Sequence, residues 1–135
     1  MKLSLILILV TLNVFGQKET DGKDAIKMLL TSSSSFSNYE TVKINKIDFD
    51  LVLQDKDTIY LQTIDKEFVI DAGIHVGTKF SELPLTIKQI FTKERGWGYY
   101  YTLPSGWSIG FCEGNTCTND YPNESSEIKW IFKRK

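Results

Sequence analysis

One histidine and two cysteines stand among 135 residues, and each scarcity removes a class of chemistry. His75, Cys112 and Cys117 cannot together supply the four side-chain ligands of a structural zinc site, so neither a metal nor any other cofactor is expected. The Cys-x4-Cys spacing is not the Cys-x-x-Cys of thioredoxin-like redox chemistry. Charge of one sign is also lacking: 16 Lys and Arg face 17 Asp and Glu, a formal net charge of −1. That balance excludes the basic footprint of a nucleic-acid or anionic-membrane binder. Nor is there an apolar run of the roughly 20 residues a membrane-spanning helix needs. The longest, Leu3 to Val10, is soon cut by Asn13 and then by Gln17-Lys18-Glu19.

What is present at the N-terminus reads as an export signal. Lys2 supplies a positive start, and Leu3-Ser4-Leu5-Ile6-Leu7-Ile8-Leu9-Val10 is an apolar segment within the range of roughly 7–15 residues expected of a signal peptide. Leu and Ile runs also make buried strands, but the position of this one directly after Lys2 favours the signal. Val14-Phe15-Gly16 places cleavage after Gly16, give or take a residue, which leaves residues 17–135 as a single domain with Gln17 first. With no cysteine at the junction to carry a lipid, the mature chain is expected to be periplasmic or secreted, with no stable membrane insertion. Removal of Lys2 makes the balance fifteen basic residues against seventeen acidic ones, a net charge of −2. Acids concentrate between Asp48 and Asp71, and Lys133-Arg134-Lys135 ends the chain; both read as solvated faces. In an oxidising compartment Cys112 and Cys117 are expected to pair. Gly114 and Asn115 let the short loop between them reverse.

Periodicity divides the mature chain into two helical and several alternating stretches. Asp21 is a plausible N-cap for a short amphipathic helix over 22–31 carrying Ile26, Leu29 and Leu30, ended by Ser32-Ser33-Ser34-Ser35. Ile47, Phe49, Leu51 and Leu53 then alternate with Asp48, Asp50 and Val52; after the turn residues 54–57, Ile59 and Leu61 resume, which predicts a hairpin with one wet face. Val42 and Ile44 are out of phase with Ile47, so a bulge or break is expected near Asn45-Lys46. Phe68 to Ile70 reads as a third strand. A second helix is expected from Pro84, with Leu83, Ile87, Ile90 and Phe91 at helical spacing. Residues 97–103 and 107–112 form the clearest hairpin, turning through Pro104-Ser105-Gly106. That loop length sets Tyr99 opposite Phe111, Tyr101 opposite Ile109 and Leu103 opposite Trp107 on a buried face. On the other face Tyr100 lies opposite Gly110, with its ring free to cover the glycine. A last strand is expected over Ile128 to Phe132. The sum is an α+β domain: an antiparallel sheet of five or six strands with two short helices.

Candidate chemistry is sparse. Gly106-Trp107-Ser108-Ile109-Gly110 matches the pattern of a hydrolase nucleophile elbow, but that motif needs a strand-to-helix turn and a later histidine. Ser108 instead falls inside a predicted strand and His75 precedes it, so the bland reading of each is an ordinary polar position. A small hydrolase using Ser108 or His75 is the competing class of function. Asp55 and Asp57 begin like a calcium loop, yet the next ligand and the glycine are missing. Asn123-Glu124-Ser125 is a glycosylation sequon, relevant only on a eukaryotic secretory route. Exposed Tyr and Trp favour interfaces and sugar stacking. The predicted binding residues are accordingly Trp97 and Tyr100, taken as outward, with Asn115 in the adjoining disulfide loop.

Gly73-Ile74-His75-Val76-Gly77-Thr78, followed by Ser81-Glu82-Leu83 and three strands, resembles the opening of small bacterial envelope domains of the BamE and β-lactamase-inhibitor-protein type, over about half of the chain. The lipid-anchor cysteine of BamE and a counterpart for the strands before Gly73 are both missing from the correspondence. The resemblance implies a non-catalytic, protein-binding role. The reading is therefore an exported, non-enzymatic domain whose partner is a protein or a glycan. One specific version is a periplasmic inhibitor or immunity protein for a secreted hydrolase such as a lysozyme.

Overall fold

The computed structural model describes residues 37–88 and 90–135. The export segment, the helix expected over 22–31 and the serine run lie outside the described residues. Strands β1 (Ser37–Ile44), β2 (Ile47–Gln54), β3 (Asp57–Thr63), β4 (Thr92–Glu94), β5 (Gly98–Thr102), β6 (Ser108–Phe111) and β7 (Trp130–Arg134) form one sheet in the order β1-β2-β3-β7-β6-β5-β4. Every neighbouring pair is antiparallel. The class is α+β, as the alternation predicts.

The break expected near Asn45-Lys46 is a turn: Val42 and Ile44 belong to a strand of their own, β1, which folds back on β2 with Ile44 opposite Ile47. Asn45 and Lys46 both take positive φ, 50° and 68°, and Asp55 and Lys56 repeat this at 51° and 72°. These are two-residue turns of the kind whose twist suits a hairpin, built here without the customary glycine. A bulge does occur, but at Val52/Leu53 against β3, where Ile59 is the extra residue. A correction falls on Phe68–Ile70, expected as a third strand, which is not one. It begins a long crossover that carries Phe68, Ile70, Ile74, Val76, Phe80, Leu83 and Ile87 onto one face of the sheet, against Ile109, Phe111 and Ile131. Backbone bonds fix this layer to the chain before β7: Gly77 N–H donates to Ile128 O and Phe80 N–H to Ser126 O.

The second helix is present but reduced. A 3-10 turn at Phe80–Glu82, closed by Lys79 N–H donating to Glu82 Oε2 at 2.7 Å, leads to α1 (Leu85–Lys88). Pro84 stands immediately before α1, and its carbonyl accepts from Ile87 and Lys88. Phe91 then enters the core just ahead of β4.

The β5–β6 hairpin has the expected register: Tyr99 pairs with Phe111, Tyr100 with Gly110 and Tyr101 with Ile109, while Leu103 N–H donates to Trp107 O. Its second face departs from expectation, because the central strands are buried on both faces. Val52, Tyr60, Trp97, Tyr100, Trp130, Phe132 and the two cysteines form a second buried cluster. β7 sits in the middle of the sheet, so Trp130, Ile131 and Phe132 are all buried although they alternate in direction. Full burial of an aromatic or branched side chain stabilises by about 1.5–3 kcal/mol. The sheet therefore draws its cohesion from both sides of its central strands.

Candidate interaction surface

Asn115 is exposed on the loop that the Cys112–Cys117 disulfide closes, as predicted. The bridge is not the loop's sole restraint. Asn119 Oδ1 accepts from Thr116 N–H at 2.8 Å and from the Thr116 hydroxyl, and Glu113 bridges to Thr118. Gly114 has φ of +76°, and a Cβ there would lie 2.6 Å from that of Asn119. A loop so tied presents its polar groups in one arrangement.

Two residues beyond Asn119, Tyr121 lies on an aromatic support. Its ring meets Tyr99 edge-on at 5.1 Å, Phe80 at 6.0 Å and Phe91 at 6.3 Å, and its hydroxyl donates to Lys88 O at 2.5 Å. It remains 44% exposed. Ile90, at 56%, and Leu85, at 73%, are exposed on the α1 segment whose carbonyl Tyr121 engages. Lys88 does not break the apolar surface, since its ammonium folds back to Ser81 O, to Glu124 and over the Phe80 ring at 5.5 Å. Exposed apolar groups on rigid backing, next to a restrained polar loop, suit the core and rim of a recognition surface.

Sequence reasoning placed the aromatic contribution elsewhere. Trp97 and Tyr100 are not outward: they are 3% and 8% exposed and belong to the second buried cluster. Trp97 packs edge-on against Tyr60 at 5.2 Å and against Phe132 at 5.2 Å. The ring over Gly110 comes from Trp130, not Tyr100. At the rim of this cluster Arg134 pairs with Glu94 through two contacts, 2.9 and 3.3 Å, and donates to Tyr100 Oη at 2.8 Å. The Tyr100 hydroxyl in turn donates to Glu94 Oε2 at 2.8 Å. The guanidinium also lies over the Trp97 ring at 4.4 Å and the Tyr100 ring at 5.3 Å.

Each group of this triad titrates away from its ordinary value. Burial alone would raise the Glu94 carboxyl, but hydrogen bonds from Arg134 and Tyr100, with the Arg134 charge, outweigh it and hold Glu94 below the usual range. Burial and the bond to Glu94 push the Tyr100 hydroxyl up. Burial opposes the Arg134 charge, yet Glu94 and the neighbouring tyrosines raise its value. The triad fastens β4, β5 and β7 together and is occupied with itself.

The other candidate groups are likewise engaged. Ser108 is buried in β6 and shares a 2.7 Å hydrogen bond with Thr102 across the hairpin. His75 Nδ1 lies 2.7 Å from Val76 O. Asp48 pairs with Lys43 at 2.8 Å, and Asp50 accepts from Tyr39 at 2.8 Å and Thr41 at 3.0 Å. Among the described residues no three His, Cys, Asp or Glu side chains gather as a metal site, and no helix is long and apolar enough to cross a membrane.

Sequence reasoning took Arg134 as part of a solvated tail and assigned no role to Tyr121, Leu85 or Glu94, none of which falls on an apolar position of a repeat.

No protein-family model matches the chain, and no curated protein matches it. It is similar in structure to the uncharacterised protein yfeY from Escherichia coli, with a TM-score of 0.47 and 13% identity over 82% of this chain and 88% of that one.

Proposed function

We propose that this chain is a non-catalytic protein-binding domain acting in the periplasm or outside the cell, and that it binds its partner through the surface centred on Tyr121. The observation that carries the reading is Tyr121, half-exposed on the rings of Phe80, Phe91 and Tyr99 with its hydroxyl on the Lys88 carbonyl of the segment that leaves Leu85 and Ile90 exposed. A flat aromatic and aliphatic surface on rigid support gains binding energy with little ordering cost. The export signal at Met1–Gly16 and the resemblance at Gly73–Thr78 agree with such a role. The partner is a protein.

The test pairs binding with turnover. A partner recovered from the envelope fraction and purified should lose affinity on Tyr121→Ser or Ile90→Ser by about 10-fold or more, the scale of a recognition hot spot. Ile64→Ser, at an exposed position on the segment after β3, should leave affinity unchanged. The reading fails if Tyr121→Ser binds as well as the native chain. It fails equally if the protein shows a reproducible hydrolase activity that Ser108→Ala or His75→Ala removes.

A further inference from the structure

Between the start of the crossover and the β5–β6 loop lies a cleft of about 490 Å³, within the roughly 300–1,000 Å³ typical of small-ligand sites. Its floor is the half-buried indole of Trp107, met edge-on by Phe68 at 5.0 Å and backed by Phe49 at 6.4 Å. Val69, which is 57% exposed, adds an apolar wall, and Asp71 and Ser105 stand exposed at the rim. Lys133 enters from β7. Its ammonium lies over the Trp107 ring at 4.6 Å, and its stem runs close to the loop, with Cε 3.6 Å from the place a Cβ at Gly106 would take.

The cleft therefore holds two opposite charges beside a fixed aromatic ring. Elsewhere Lys43 pairs with Asp48 at 2.8 Å, Arg134 with Glu94 at 2.9 Å and Lys88 with Glu124 at 3.4 Å. Among the described residues neither the Asp71 carboxylate nor the Lys133 ammonium has an ion-pair partner, and the two do not reach each other. The ring is what holds Lys133 in place.

We propose that this cleft binds a short peptide through its free ends: the carboxylate takes the Lys133 ammonium, the amino group meets Asp71, and an apolar side chain lies on Trp107 and Val69. Charge selects this class. A purely anionic ligand would be repelled by Asp71, and a purely cationic one by Lys133. A neutral saccharide would have to displace the ammonium from the indole while offering it no counter-charge. A carboxylate draws the ammonium aside as it pairs with it, which uncovers the ring for the apolar group. The cleft sits at the loop end of the β5–β6 hairpin, whereas Tyr121 rests on Tyr99 near the other end. The inference does not depend on the Tyr121 surface binding anything.

The probe is leucyl-leucine, with its N-acetyl form, its C-terminal amide and maltose as comparisons, titrated into the exported chain by calorimetry and by the NMR signal of the Trp107 indole N–H. Leucyl-leucine should bind at millimolar concentration or below and move that signal. The acetylated and amidated peptides should each bind about three- to five-fold more weakly, the scale of one part-exposed ion pair. Lys133→Met keeps an apolar stem on the ring and should remove the preference for the free carboxylate alone. Asp71→Asn should remove the preference for the free amino group alone. Neither position is in the buried core, so both variants should keep the native far-UV circular dichroism. Tyr121→Ser should bind leucyl-leucine as the native chain does. A Trp107 signal that millimolar leucyl-leucine leaves in place, equal binding of the acetylated or amidated peptide, end-group preferences that survive both substitutions, or maltose moving the signal where the peptide does not would each overturn the inference.

Discussion

Gly110 and Trp130 show how one position decides a face of this sheet. The indole lies flat on the glycine of the neighbouring strand, and a Cβ at Gly110 would stand 2.6 Å from its ring. Because Trp130 is itself wedged against Phe132 at 6.1 Å, it has little room to retreat. Gly110→Ala should cost about 1–3 kcal/mol, the range for overpacking a filled core, read as a shift in the denaturant midpoint at constant slope. Gly98→Ala is the harsher comparison, since the clash there is with the Phe111 carbonyl at 2.3 Å and the glycine has φ of +73°. Arg134, Glu94 and Tyr100 add a pH signature. The folded Glu94 value is depressed, so its contribution is present above the unfolded glutamate value of about 4.3 and is lost as pH falls through the folded one. Tyr100 is raised, so its contribution is present below about pH 10 and is lost as pH rises through the folded value. Glu94→Gln should lower neutral-pH stability by about 0.5–1 kcal/mol, as expected of a part-exposed pair, and flatten the acid limb of the stability profile below about pH 4.3. An acid limb unchanged by Glu94→Gln would mean that the triad contributes nothing to holding β4.

At the level of elements, alternation made β2 legible, and the three-residue loop Pro104-Ser105-Gly106 marked β5 and β6 as a hairpin. Loop length then set the β5–β6 register, and all four paired positions agree with it. The boundary of β1 was legible and its kind was not: Val42 and Ile44 are out of phase with Ile47, but Asn45-Lys46 lacks glycine, so the change of phase did not distinguish a bulge from a turn. β4 was too short to carry any period. Phe68–Ile70 had the composition of a strand, but its half-buried Phe68 covers Trp107 instead, edge-on to it at 5.0 Å. The disulfide loop was readable from the spacing of its cysteines and the expected export, and its attachment to Asn119 was not, because side-chain bonds to backbone leave no periodic trace. Reduction of Cys112–Cys117 should lower stability by about 2 kcal/mol, the chain-entropy scale for so small a loop, with near-UV tryptophan signals largely kept. Collapse of those signals on mild reduction would show that the bridge supports the Trp97 cluster and not the loop alone.

Across the whole molecule, the α+β class followed from composition and alternation, while the candidate site did not. The reason is the two-sided burial of the sheet. A strand buried on both faces shows no polar phase, so alternation had nothing from which to place the aromatic residues, and Trp97 and Tyr100 were assigned to a surface that does not exist. The proposed surface is assembled from α1, β5 and the chain after the disulfide loop, stretches brought together by the crossover layer and not by sequence neighbourhood. The central claim is that Tyr121 sits at the middle of a protein-recognition surface. Incorporating a photoreactive phenylalanine analogue at position 121, and separately at position 64, in cells that export the protein tests this most directly. After irradiation, a single discrete covalent adduct with another protein from position 121 and none from position 64 is the predicted result; equal labelling from both positions, or no adduct from position 121, would contradict it.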